Sequence, residues 1–112
     1  MSKTLDFKKV RKQYMTVTLA DEKNTTILIG MPTKAVMNDL ITLQESLEEI
    51  TEENSEAATE ELYAVCARVM SRNKGGIKIT TEMLSEIFDF EDIMIFFNAY
   101  MEFISEVVNS KN

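Results

Sequence analysis

Histidine and tryptophan are absent from the 112 residues, and cysteine and proline occur once each. Without histidine the chain lacks the commonest general base, the commonest neutral metal ligand and the usual activator of a cysteine nucleophile. The single cysteine, Cys66, cannot close an internal disulfide, which fits a reducing compartment. Its place on the apolar side of an expected helix makes it a small core residue. Also missing are a nucleophile elbow and a pair of cysteines at metal or redox spacing. Acid pairs such as Glu48 and Glu52 share a helix face with no cation nearby, as solvated surface does. No catalytic residue, cofactor-binding residue or metal ligand is therefore expected, and the chain reads as a non-enzyme. There is no run of 18 or more apolar residues, and no basic segment leading into an apolar stretch with a cleavage site. Neither membrane insertion nor secretion is expected, and the reading is cytoplasmic.

Apolar residues make up 45% of the chain, enough for one core and too few residues in all for a second domain, so 1–112 is taken as a single domain. A net charge of −7 argues against nucleic acid as the main partner, since duplex binding needs a basic face. Charge is also polarised. Lys3, Lys8, Lys9, Arg11 and Lys12 make the N-terminus basic, whereas Asp39, Glu45, Glu48, Glu49, Glu52, Glu53, Glu56, Glu60 and Glu61 follow one another without an intervening Lys or Arg. Such a molecule could associate head to tail or keep an aggregation-prone partner in solution, although a solvated face is the plainer account.

Residues 1–12 form a basic, flexible arm with Leu5, Phe7 and Val10 as its apolar anchors. From Tyr14 the pattern takes period two. Met15, Val17 and Leu19 alternate with threonines, Ile27 and Ile29 repeat the alternation, and Asp21–Asn24 supplies turn residues, predicting a β-hairpin with strands near 14–20 and 25–31. Two strands are marginal in water, so one face must pack on helices or another subunit must extend the sheet. Pro32 stops the second strand, and Thr33 caps a helix over 34–50 with a seam of Val36, Leu40, Leu43, Leu47 and Ile50. Glutamates crowd the C-terminal end of that helix, where its dipole disfavours them, so fraying is expected there. A second helix near 56–73 buries Leu62, Val65, Cys66, Val69 and Met70. Gly75 and Gly76 then serve as a helix stop, because they lack the preceding strand and the Lys-Ser/Thr tail of a phosphate loop. Ile77 and Ile79 read as a short extended piece, and a brief helix with Met83, Leu84 and Ile87 follows.

The stretch from Phe88 to Val108 carries six of the nine aromatic residues and reads as one long helix. Asp89 and Asp92 suit a reciprocal N-terminal cap, with Phe88 placed to pack on Ile93. Its apolar residues, from Phe90 and Ile93 to Val107 and Val108, cover an arc of about 180°, against the ~100° a surface helix needs. The fold class expected is α+β: an N-terminal hairpin over 14–31, then a helical part over 33–109 with about four helices and the long C-terminal one central.

Eight methionines add to this surplus of apolar surface. Methionine fills core gaps, and it also suits a surface that must accept varied side chains. Ile95 falls on the polar side of the terminal helix and marks a possible contact. The partner-binding residues expected from these features are Ile95, Phe96, Tyr100, Met101 and Phe103.

The order of segments also carries a likeness. The basic arm, the hairpin YMTVTLADEKNTTILI, the phrase MPTKAVMNDL, the segment LYAVCARVMSRNKGGIKIT and the ending FEDIMIFFNAYMEFISEVVNSKN together resemble the small tail assembly chaperones of long-tailed phages and prophages of Gram-positive bacteria. The resemblance spans nearly the whole chain and rests on phrases, with no motif of fixed chemistry. It implies a cytoplasmic protein of the bacterial host that binds the long, helical tape measure protein, keeps it soluble and recruits tail tube subunits. It also implies a programmed frameshift near the end of the gene, for which Ser110-Lys111-Asn112 could be encoded by a run of adenines. Self-association through an open hairpin edge is a further expectation; membrane partners are not expected. The rivals are a tail component retained in the virion and a small DNA-binding regulator acting through the arm.

Overall fold

A computed structural model describes residues 4–7 and 10–109. Lys3, Lys8 and Lys9 of the expected arm, and the Ser110-Lys111-Asn112 ending, lie outside the described residues. The order of elements is β1 (Met15–Thr18), β2 (Thr26–Ile29), α1 (Lys34–Glu48), α2 (Ser55–Ser71), α3 (Thr81–Ile87) and α4 (Phe90–Asn109). The α+β class, with an antiparallel hairpin followed by four helices, is as the sequence predicts.

The hairpin register sets Met15 opposite Ile29 and Val17 opposite Ile27, which puts the apolar members of both strands on one face. Ile27, Ile29 and Leu19 are buried, and the threonines of the other face are exposed. The turn is closed by Asp21, whose carboxylate accepts from the Thr25 amide at 2.8 Å and the Thr25 hydroxyl at 2.6 Å. These bonds favour the ionised carboxylate and hold its pKa below the usual value. Asn24 takes the left-handed conformation at φ 51°, which asparagine tolerates better than most residues.

Thr33 caps α1 as expected, its hydroxyl accepting from the Val36 amide. The helix ends at Glu48, two residues before the expected limit. No basic residue stands in its last turn, and Glu45, Glu48 and Glu49 crowd that end. Leu47 is consequently half-buried and Ile50 exposed, so the seam is filled by Val36, Leu40 and Leu43. α1 and α2 are antiparallel partners joined by a short turn, and the exposed Arg68–Asp39 ion pair ties the C-terminal part of α2 to the N-terminal part of α1.

α2 is the helix that touches most of the molecule: α1, α3, α4 and β2 all pack on it. Leu62, Val65, Cys66, Val69 and Met70 are buried, as the spacing predicts. α4 is the longest element and brings the aromatic rings, while α2 is the surface against which the others are placed. α2 stops at Ser71 and not at 73, because Asn73 leaves the helix to form a bridge with Ile29. The Lys74 amide donates to the Leu28 carbonyl at 2.9 Å, so the outer edge of β2 is covered at its C-terminal end. The buried Asn73 side chain donates to the Met70 and Ile77 carbonyls and accepts from the Ile77 amide, which satisfies it without water. Gly76, at φ 70°, turns the chain past this point in a conformation that an L side chain rarely adopts, in place of the helix stop expected of it. Ile77 and Ile79 join no strand; Ile79 is buried and fixed by two bonds to the Ser71 hydroxyl.

α4 opens on the reciprocal cap expected for it. The Asp92 amide donates to Asp89 Oδ1 at 2.8 Å and the Asp89 amide to Asp92 Oδ2 at 3.1 Å. Its tie to the hairpin is Tyr100, fully buried, whose hydroxyl donates to the Gly30 carbonyl at 2.8 Å. Burial pushes this phenol up to about 12, with Arg72 acting in the opposite sense. Tyr100→Phe should cost about 1–2 kcal/mol at neutral pH, because the Gly30 carbonyl loses its donor. The phenol keeps its proton in the folded state to about pH 12, whereas it releases it near 10 when unfolded. Its contribution is therefore complete below pH 10 and is lost as pH rises toward 12. Urea unfolding at neutral pH and at about pH 11 checks both points, with the substituted chain losing less stability across that interval.

Candidate functional site

Helical geometry at about 100° per residue places the buried side chains of α4, namely Ile93, Phe96, Phe97, Tyr100, Ile104 and Val107, within an arc of about 100°. The domain therefore encloses the stripe that an ordinary surface helix buries. The remaining apolar residues lie beside it. Phe90 and Val108, counted in the wider arc by their spacing, are exposed because they fall just outside the enclosed stripe, whereas Val107 in the same last turn falls inside it and is buried. Met94, Met101 and Phe103 are half-buried. Ile95 is 62% exposed.

The five residues expected to meet a partner thus divide. Phe96 and Tyr100 are core residues, at 6% and 1% exposure; Tyr100 is therefore corrected from a contact residue to a support, and Phe96 keeps only the small area that it gives to a groove beside β1. Tyr100 sits in the middle of the buried arc with its hydroxyl already engaged, and Phe96 sits at the edge of the arc nearest β1. Their rings stack at 5.9 Å, and Tyr100 stacks in turn on Phe103 at 6.0 Å. This row of rings runs from the enclosed face of α4 to its open flank, so Phe103 is held in place from below. Ile95, Met101 and Phe103 keep surface that a partner can reach.

The two flanks differ. On one, Ile95 and Ala99 face β1 across a shallow groove of about 390 Å³ that is also lined by Val17, Thr18, Phe88 and Asp92. β1 is hydrogen-bonded to β2 alone, and no other strand pairs with it among the described residues. The groove has an apolar floor from Val17 and Phe96 and a carboxylate at its rim. The other flank carries Phe90, Met94, Met101 and Val108 in a line along the helix. Both flanks are predominantly apolar, with Asp92 the one carboxylate that lines the groove.

Cys66 is free, buried at 1% exposure, and its thiol is pushed up to about 12 by burial. That is the state of an inert core thiol. The Tyr63 hydroxyl, which donates to the Phe88 carbonyl at 2.8 Å, is also raised, first by burial and then by Asp89 and Asp92. Among the described residues, no group of three or more His, Cys, Asp or Glu is placed to hold a metal ion. Among the described residues no helix is long and apolar enough to cross a membrane. No protein-family model, curated protein or solved structure matches the chain.

Val17 and Thr18, which form the β1 wall of the groove, were not among the expected contact residues. Alternation marks Val17 as inward-facing, but the approach of β1 to a helix some eighty residues later has no local signal. Ile95 does have one, as an isoleucine on the polar side of an amphipathic helix. Ile95→Glu should leave stability within about 0.5 kcal/mol, whereas Phe97→Ala, in the enclosed arc, should cost about 3–5 kcal/mol. Thermal unfolding followed by circular dichroism checks the contrast.

Proposed function

We propose that the protein is a non-enzymatic assembly chaperone of a long-tailed phage or prophage, acting on the tape measure protein in the cytoplasm of the bacterial host. The observation that carries this reading is the apolar surface left over on the two flanks of α4, with Ile95 exposed and Phe103 half-buried on one, and Val108 exposed and Met101 half-buried on the other, on a helix whose enclosed stripe is already complete. An exposed apolar surface of this kind is matched by the apolar face of an amphipathic helix, and a tape measure protein is largely built of such helices. Methionine at 94 and 101 suits a surface that must accept many similar but unequal segments. The acidic belt keeps the loaded complex in solution, and recruitment of tail tube subunits follows once the tape measure is covered.

The reading joins this surface to the resemblance of the chain's phrases to tail assembly chaperones. Co-expression of the tape measure protein of the same phage with and without this chain tests it. The expected result is a larger soluble fraction and co-purification, reduced at least about tenfold by Ile95→Glu. No gain in solubility and no co-purification would overturn the proposal. Mass spectrometry of purified virions separates it from a retained tail component, since a chaperone leaves before the particle is complete.

A further inference from the structure

A second recess, which shares no lining residue with the groove beside Ile95, lies where the hairpin strands begin and end, next to the last turn of α4. It has a volume of about 570 Å³ and is lined by Arg11 and Lys12 of the arm, Arg72 and Lys74 after α2, and Tyr14 and Thr33. Four cations share it and no acidic side chain lines it, in a chain whose net charge is −7. The recess is anchored. The Arg72 guanidinium donates to the Met31 carbonyl at 3.3 Å, and the Lys74 ammonium lies 5.2 Å from the centre of the Tyr14 ring. The N-terminus of α1, with its positive dipole end, opens on the same space through Pro32 and Thr33.

The complementary surface is on the same molecule, at its far end. Glu45, Glu48, Glu49, Glu52, Glu53, Glu56, Glu60 and Glu61 are all exposed around the turn between α1 and α2, with no Lys or Arg from Leu40 to Ala67. That turn is not slack. The Thr51 amide donates to Asn54 Oδ1 at 2.7 Å, the Asn54 amide donates to the Thr51 hydroxyl, and the Asn54 amide group donates to the Glu49 carbonyl. Because α1 and α2 are antiparallel, the turn stands one helix length from the recess, about 22 Å for 15 residues. A rigid helical pair cannot fold its own turn back over that distance, so the two surfaces can meet only between molecules.

We infer that the recess formed by Arg11, Lys12, Arg72 and Lys74 receives the acidic α1–α2 turn of a second copy, giving head-to-tail self-association. The contact is heterologous, each copy using one surface of each kind, so it extends into a ring or a filament and does not stop at a two-fold dimer. It does not depend on the chaperone reading and uses neither Ile95 nor the groove beside β1.

Sedimentation of the full chain at about 20 mM and about 500 mM salt tests it. Association at low salt that dissolves at high salt is expected. Arg72→Glu/Lys74→Glu alone and Glu52→Lys/Glu53→Lys alone should each weaken self-association at least about tenfold. Mixing the two should restore it, because each altered surface then finds its opposite. Arg11→Glu/Lys12→Glu, in the exposed arm, gives the same comparison if replacement of Arg72 disturbs the fold. A chain that stays monomeric at every salt concentration, or reversed variants that associate as well alone as mixed, would overturn the inference. So would a monomer whose recess binds a short DNA duplex and loses it on the same substitutions.

Discussion

A hairpin of two short strands does not hold itself together in water, and the whole arrangement follows from how this one is fixed to helices. Three ties do it. The apolar face formed by Val17, Leu19, Ile27 and Ile29 supplies the burial. Asn73 and Lys74 supply backbone pairing on the outer edge of β2, and Tyr100 reaches the Gly30 carbonyl from α4. The last two come from residues 44 or more positions beyond the end of β2, so the hairpin is stable only when α2 and α4 are packed against it. Local chain order and long-range packing are thus one event.

This attachment also decides which surfaces stay open. Asn73 and Lys74 occupy the outer side of β2, leaving β1 as the free edge, and β1 then becomes a wall of the groove with Ile95. The same departure of the chain from α2 at Ser71 swings Arg72 and Lys74 toward the arm and the start of α1, where they build the basic recess. An apolar flank and a cationic hollow therefore arise from how one helix ends and how one hairpin is anchored.

Much of the fold is legible in the sequence because its signals are local. Period two marked both strands, Pro32 and Thr33 marked the start of α1, and the Asp89–Asp92 pair marked the start of α4. Helix ends were less legible. Asn73 follows the helical pattern of α2, and only the pull of the bridge to Ile29 takes it out. The apolar face of α4 was legible as a surplus, but its division was not: Phe96 and Tyr100 differ from Phe103 by which neighbours stand over them, and those neighbours come from distant parts of the chain. The basic residues of the recess were visible one by one. Their meeting across the arm, the strand end and the helix end was not.

The buried sulfur at position 66 has a practical corollary. Cys66 sits in the helix that touches α1, α3, α4 and β2, and its thiol holds its proton far above neutral pH. A soluble alkylating reagent reaches it only when that helix parts from its neighbours. The molecule thus carries, in its one sulfhydryl, a gauge of how often its own centre comes open.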